Sequence, residues 1–324
     1  MEQDKHVCCS TDDNYVQHCG AMLCSLLENS HSKFVIHILC TKNKLSPNGR
    51  SILKRIIEQR GSECVFNNID EALLVGVKFR KNRPLTYAAY YRILLASLFS
   101  SEIEKIFYLD SDIIVLKDIS SIFDLDISDY AVAAVQDITN PCDLQRMQLS
   151  IPYEECFFCS GVMLINLNYW RKHGSEERLL CFSKKERHVF LHDQDALNAV
   201  FYDKWFRLPP KWGKFNEQVP STIKFLTDED RVEYIHSPML IHYIVKPWII
   251  KNARYREEYW HYVEEAGFTA TRENSKLETS LPTFFSNIQI ACDEHNVLWL
   301  YGILNFIVKL LVEVKRLVLW PFKN

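Results

Sequence analysis

The heptapeptide Phe34–Cys40, FVIHILC, is apolar at every position but His37 and rich in β-forming residues. A run of that kind is stable only as a strand covered in front and behind, which excludes a sheet with one solvated face. Its surroundings supply the covering layers. His6–Thr11 (HVCCST) reads as a second short strand that enters a polar turn, Asp12-Asp13-Asn14. Tyr15–Glu28 then places Val16, Cys19, Leu23, Leu26 and Leu27 close to helical spacing. Ser46-Pro47 gives an N-cap followed by proline at the first helical position, and that helix runs to Arg60 with Gly61 as its stop. Further on, the pattern predicts a helix over Ala88–Leu98 and strands at Lys105–Leu109, Ile113–Leu116, Ala131–Val135 and Val162–Ile165. A helix over Asp195–Tyr202 and a strand at Met239–Tyr243 complete it. Strands alternating with helices over roughly 250 residues predict an α/β domain, a mostly parallel sheet flanked by helices. No internal repeat is present, which excludes solenoids and propellers.

Charge narrows the partners. Lys and Arg total 38 against 41 Asp and Glu, so the chain lacks the basic excess that phosphate-backbone binding needs, and nucleic acid is excluded as main partner. The 11 cysteines are spread from Cys8 to Cys292, many inside apolar runs where a thiol packs as a small hydrophobe. Cys156-Phe-Phe-Cys159 is a lone pair, short of the four ligands of a structural zinc site. The opening Met1-Glu-Gln-Asp-Lys has no charged-then-apolar leader, and with reduced thiols this predicts a cytoplasmic protein.

Composition changes late in the chain. The core domain is expected over residues 1–268, a linker or extension over 269–295, and an amphipathic helix over 296–322. In that helix Gly302, Asn305, Lys309, Glu313 and Arg316 fall on one arc of about 80°, and Trp299, Tyr301 and Trp320 bracket the apolar face. The uncharged run Asn296–Val308 is 13 residues long, short of the roughly 20 that span a bilayer. The pattern suits a membrane interface. Docking on the protein's own core, on a second subunit, or as a tilted span are the alternatives.

The chemistry centres on Lys105–Val115, KIFYLDSDIIV. An apolar strand delivers Asp110 and Asp112, and on an extended backbone residues i and i+2 point to the same side, toward one hard cation. Flanking apolar strands argue for a cation, because two like charges there are costly without one. Asp118, Asp124 and Asp126 read as caps and loop residues.

Five motifs occur in order: Ser10-Thr-Asp-Asp-Asn-Tyr15, Tyr108-Leu-Asp-Ser-Asp112, Cys159-Ser-Gly-Val-Met-Leu-Ile-Asn-Leu167, His192-Asp-Gln-Asp-Ala-Leu-Asn198 and His242-Tyr-Ile-Val-Lys-Pro-Trp248. Together, over residues 6–250, they resemble glycosyltransferase family 8, which includes bacterial lipopolysaccharide galactosyl- and glucosyltransferases and the glycogenins. The resemblance implies a GT-A fold, a UDP-hexose donor, Mn²⁺ (or Mg²⁺) and retention of anomeric configuration. It implies that Asp110, Asp112 and His242 hold the metal, that Asp12 contacts the uracil and Asn14 the ribose or base, and that Arg92 and Asp137 lie on the donor side. Lys246 would meet the diphosphate, Asp193 the sugar hydroxyls, and Gln194 the space beneath the anomeric carbon. From the residues alone, Asp12–Asn14 is equally a plain turn, Arg92 a solvated helix charge, Asp193 an N-cap and His242 a structural histidine.

Two positions depart from the family pattern. His242 is separated from Lys246 by only Tyr-Ile-Val, a shortened loop, and Cys159 stands where asparagine is usual. The expectation is a retaining hexosyltransferase, moving glucose or galactose from a UDP-sugar to a saccharide or lipid-linked acceptor of a surface glycan such as lipopolysaccharide or capsule. It would act peripherally on the cytoplasmic membrane face through the C-terminal helix. The alternative is a non-catalytic, membrane-attached UDP-sugar binder or partner of another transferase. A phosphatase of the haloacid dehalogenase type shares Asp-x-Asp but leaves the other motifs unexplained.

Overall fold

The computed structural model describes residues 4–80, 86–138, 141–185, 187–217, 223, 225–269 and 303. The strands among them are β1 (Lys5–Ser10), β2 (Phe34–Cys40), β3 (Glu63–Asn68), β4 (Lys105–Leu109), β5 (Ile113–Val115), β6 (Val132–Gln136), β7 (Phe158–Asn166), β8 (Trp205–Arg207), β9 (Lys214–Phe215) and β10 (Leu240–His242). Seven form one sheet in the order β3-β2-β1-β4-β7-β6-β8. Only β7 runs against its neighbours, pairing antiparallel with both β4 and β6. The other three form a small sheet, β5-β10-β9.

Successive residues of each central strand go to opposite faces. Val7, Cys9, Ile36, Ile38, Phe107 and Leu109 enter one apolar cluster, with Leu23, Leu26, Leu53 and Ile57. Those four belong to α1 (Val16–Asn29) and α2 (Pro47–Glu58). Cys8, Leu39, Ile106 and Tyr108 enter the opposite cluster, with Leu95, Trp170, Leu179 and Phe201. That face is covered by α3 (Leu95–Leu98), α5 (Leu167–Lys172), α6 (Ser175–Lys184) and α7 (Asp193–Phe201), after the short α4 (Asp143–Leu149). Two further helices are α8 (Asp228–His236) and α9 (Arg256–Glu265). The last packs on α1, where the Asn29 side-chain amide donates to the Tyr262 hydroxyl at 2.7 Å.

Several expectations hold closely. β2 and β4 have the anticipated limits, and the Ser46 hydroxyl accepts from Gly49 N ahead of Pro47. Asp118 and Asp126 accept from Ser120 N and Ser128 N as local caps.

Others need correction. The helix expected over Ala88–Leu98 is a 3₁₀ run over Tyr87–Leu94 followed by the single-turn α3. Tyr90 to Leu94 are all buried, so no solvent-facing stripe exists to define amphipathic periodicity. The strand expected at Val162–Ile165 is nine residues long, every one buried. The linker expected over 269–295 and the helix over 296–322 lie, Thr269 and Ile303 aside, outside the described residues. Among the described residues no helix is long and apolar enough to cross a membrane.

Two core histidines give the fold a pH dependence. The His37 ring lies between His6 and Asn67, and His18 pairs with the Tyr259 hydroxyl at 2.6 Å. Burial lowers both to about 4. The unfolded value lies near 6.5, so between about pH 6.5 and 4 the unfolded chain binds protons the folded chain refuses, and stability falls with pH. Burial raises Asp193 to about 6, which acts in the opposite sense and cancels roughly one histidine. The net loss is about 3 kcal/mol, so the melting temperature should drop by roughly 5–10 °C between about pH 7 and pH 4.5. A melting temperature that stayed level or rose on acidification would contradict this assignment.

Candidate active site

In an open α/β sheet, ligands bind beyond the carboxyl ends of the strands where strand order reverses. Here that point lies between β1 and β4, and the chain leaving each strand carries the acidic motifs. A cleft of about 570 Å³ opens there, lined among others by Asp12, Asn14, Tyr15, Arg92, Asp110, Asp112, Asp193 and Gln194.

Asp110 and Asp112 sit not on a continuous extended strand but in the turn joining β4 to β5. Two bonds fix that turn: Asp110 N donates to Gly161 O at 2.9 Å, and the Ser111 hydroxyl donates to Ser10 O at 2.8 Å. The turn sends β5 into the small sheet, where antiparallel pairing sets His242 opposite Ile113. This register brings a residue 130 positions away next to Asp112. Carboxylate and imidazole atoms of Asp110, Asp112 and His242 all lie within 4.8 Å of one another.

The group fits a divalent cation. The His242 Nε2 atom is 3.2 Å from Asp112 Oδ1, yet that buried oxygen accepts no hydrogen bond. Burial favours the neutral His242 ring, but the Asp112 carboxylate outweighs it and raises the ring to about 10. Burial opposes the Asp112 charge too, and Lys246 with His242 holds that carboxyl well below the usual range. Such mutual compensation is what a cation would replace, since carboxylates and imidazole together suit a hard to borderline metal.

Gly161 keeps the space open. A Cβ there would lie 2.5 Å from His242 Cε1 and 2.7 Å from Asp110 Oδ2. Gly161→Ala is therefore expected to spread the two ligands and weaken divalent-cation binding by about 10- to 100-fold, at a folding cost of about 1–3 kcal/mol. Cation titration beside a thermal melt checks both, and wild-type affinity in the alanine variant would contradict the crowding.

Arg92, which the resemblance puts on the donor side, is 5% exposed, which rules out the solvated helix charge that the residues alone also allow. Its guanidinium donates to Asp110 Oδ1 at 2.7 Å and to Ser160 O at 2.6 Å, and pairs through Nε with Asp193 Oδ2 at 3.1 Å. It also lies 4.3 Å from the Tyr108 ring centroid. One buried cation thus ties the carboxylate turn to the start of α7.

His192 caps α7 with φ +54°, a conformation rare outside glycine. Asp195 holds this entry by accepting from Arg187 at 2.7 Å, Phe190 N at 2.9 Å and Leu191 N at 3.2 Å. Asp193 is accordingly the first helical residue rather than the cap, and Gln194 follows it into the cleft. The Gln194 amide is fixed at both ends: Oε1 accepts from Ser160 N at 3.0 Å, and Nε2 donates to Asp137 Oδ2 at 2.6 Å.

On the strand-β1 side, Asp12 Oδ1 accepts from Asn14 N at 3.0 Å, forming a tight turn whose outer edge faces the cleft. Cys159 places its sulfur 3.8 Å from His242 Nδ1, on the far side of the ring from the carboxylates. Lys246 donates to Asp112 Oδ2 and to Tyr243 O, so the shortened loop still delivers its ammonium to the acidic pair.

Sequence reasoning missed Ser160, Asn198 and Asn216. Asn198 brackets Phe158 through both its backbone groups, and Asn216 does the same for the 244–245 segment. Each works on a partner far away in the chain, so no local pattern announces it.

A mostly parallel sheet with a carboxylate pair and histidine at its strand ends places the protein among the GT-A glycosyltransferases. Its fold matches the galactosyltransferase LgtC, solved in complex with donor and acceptor sugar analogues, with a TM-score of 0.72 over 83% of this chain and 98% of that one, at 20% identity. The family model "Glycosyl transferase family 8" matches residues 6–251, and the chain belongs to that family. It is 33% identical to General stress protein A of Bacillus subtilis, over 81% of this chain and 95% of that protein. It is 27% identical to the lipopolysaccharide 1,2-glucosyltransferase of Escherichia coli, over 73% of this chain and 71% of that one.

Proposed function

We propose that the protein transfers a hexose, glucose or galactose, from a UDP-sugar to a saccharide acceptor of a surface glycan, with retention at the anomeric carbon. The observation that carries this reading is the convergence, in one cleft, of a nucleotide-side turn, a metal-type triad and a fixed amide beside a buried carboxylate. In it Asp12 and Asn14 receive the uridine, and Asp110, Asp112 and His242 hold Mn²⁺ or Mg²⁺. Bound there, the metal supplies charge neutralisation of the diphosphate as UDP departs.

The remaining roles are those the family resemblance implies. Asp193 accepts from the sugar hydroxyls, and Asp137 is a further carboxylate on the donor side. Arg92 positions Asp110 and Asp193 by holding both. Gln194 lies beneath the anomeric carbon as a neutral amide whose oxygen already accepts from Ser160 N, which makes it a poor nucleophile. Front-face attack is therefore favoured over double displacement. The bond from C1 to the diphosphate oxygen breaks, the acceptor oxygen bonds C1 from the same face, and its proton goes to the departing diphosphate.

Release of UDP from a panel of UDP-sugars, with Mn²⁺ and with EDTA, tests the proposal. Metal-dependent turnover of a UDP-hexose is expected. Metal-dependent UDP binding with no turnover, even with acceptor glycans supplied, would favour a sugar-nucleotide binder instead. Peripheral attachment to the cytoplasmic membrane face rests on the residue pattern of 296–322. A chain truncated after Asp293 should then no longer pellet with anionic liposomes, and pelleting unchanged by truncation would remove that part of the proposal.

A further inference from the structure

The loop between His242 and Lys246 is short, and its geometry is tightly fixed. Asn216, 1% exposed, accepts from Ile244 N at 2.9 Å and Val245 N at 3.2 Å, and donates to Val245 O at 2.8 Å. One side chain thereby closes the turn from outside the loop. Beyond Lys246, the backbone of Ile249 and Ile250 returns to Lys246 O at 3.0 and 2.9 Å. Trp248 stacks on His18 at a centroid distance of 3.7 Å and 21° between planes. Pinned on both sides, Lys246 has its side chain 25% exposed and its ammonium on Asp112 Oδ2.

Each carboxylate of the acidic pair has a cation on it: Arg92, shared with Asp193, lies on Asp110, and Lys246, beside the His242 ring, lies on Asp112. A dication entering beside Asp112 meets an ammonium already on that carboxylate, and like charges at such range in a partly buried site repel strongly. A diphosphate offers the ammonium another anionic partner within the same cleft.

We propose that Lys246 is the resident counter-cation of Asp112, which holds metal affinity low until a nucleoside diphosphate arrives to take the ammonium over. This rests on reading the cleft as a metal-dependent UDP-sugar site. It adds that the lysine competes with the metal in the empty enzyme and assists it only in the loaded one. Metal and diphosphate then bind as a coupled pair, and the empty site resists stray cations.

The test is a Mn²⁺ titration of the full chain, followed by the electron paramagnetic resonance of free Mn²⁺, without nucleotide and with saturating UDP. Without nucleotide, Lys246→Met should bind Mn²⁺ about tenfold more tightly than wild type, a size usual for coupling between two ligands. With UDP present the order should reverse, the variant binding about tenfold more weakly. Lys246→Arg, which keeps the charge, should stay within about twofold of wild type in the nucleotide-free titration. Circular dichroism melts establish that each variant is folded, and Lys246→Gln repeats the charge removal if methionine is not tolerated. Unchanged or weaker nucleotide-free Mn²⁺ binding in the folded, charge-removed variant would overturn the proposal, as would tightening by the arginine variant. Failure of wild type to bind UDP with Mn²⁺ would instead overturn the UDP-sugar reading, while the nucleotide-free comparison still decides the role of Lys246.

Discussion

Asp112→Asn is expected to lower metal-dependent UDP release by about three orders of magnitude while leaving the protein folded. The residue carries the buried oxygen that accepts no hydrogen bond, and its other oxygen is the anchor of Lys246. Asparagine has nearly the same shape, so packing around the turn is kept. It removes the negative charge that a metal needs and places an NH₂ group where an oxygen ligand stood. A bound metal contributes several kcal/mol of charge stabilisation to a departing phosphate, which corresponds to roughly a thousandfold in rate. The folding penalty is smaller, because the Lys246 side chain is 25% exposed and can turn its ammonium to water. Asp126→Asn serves as the control, since that carboxylate caps Ser128 N. Release within tenfold of wild type, with the same metal requirement, would show that the carboxylate pair is not the metal site.

Much of this site was readable from the chain, and the failures have a common cause. The acidic pair and the Asp12–Asn14 turn were found because their signals are local: an apolar strand running into a polar turn. His242 was found only through resemblance, since β10 is three residues long and its partner β5 comes from far upstream. The i, i+2 argument for Asp110 and Asp112 gives the right convergence for the wrong backbone, because the chain leaves the β4–β7 pairing after Asp110 and turns through Ser111 and Asp112 into β5. For Arg92 the residues alone leave a solvated helix charge open beside the donor-side position that the resemblance implies, because periodicity cannot distinguish an exposed charge from a buried, compensated one. The compensating carboxylates are 18 and 101 positions away. The same applies to Asn216, whose turn-closing bonds reach across 28 and 29 residues. Patterning declares layers, whereas polar networks between distant segments follow only once the layers are stacked.

Arg92→Met should be the most destabilising of these changes. The guanidinium is shared by two carboxylates and two carbonyls, Ala89 O and Ser160 O, and its side chain is 6% exposed beside 7% for Asp193. Methionine fills similar volume but leaves Asp110 and Asp193 without their cation, and an uncompensated buried charge costs about 3–5 kcal/mol. For a domain of this size that lowers the melting temperature by roughly 10 °C. The cost should depend on the carboxylate left behind. Burial already raises Asp193 to about 6, so in the Arg92→Met background Asp193→Asn relieves a charge the site resists. The double variant should therefore be more stable than Arg92→Met alone, while Asp193→Asn destabilises the wild type, and the cycle should give a coupling of about 1–3 kcal/mol. Arg92→Lys keeps the charge but has no planar fork to reach Asp110, Ser160 O and Asp193 together, so it should recover only part of the loss. Thermal melts of the four proteins in the cycle decide the matter. A melting temperature for Arg92→Met within about 2 °C of wild type, or strictly additive effects, would mean that Arg92 is a peripheral charge and not the tie between the acidic turn and α7.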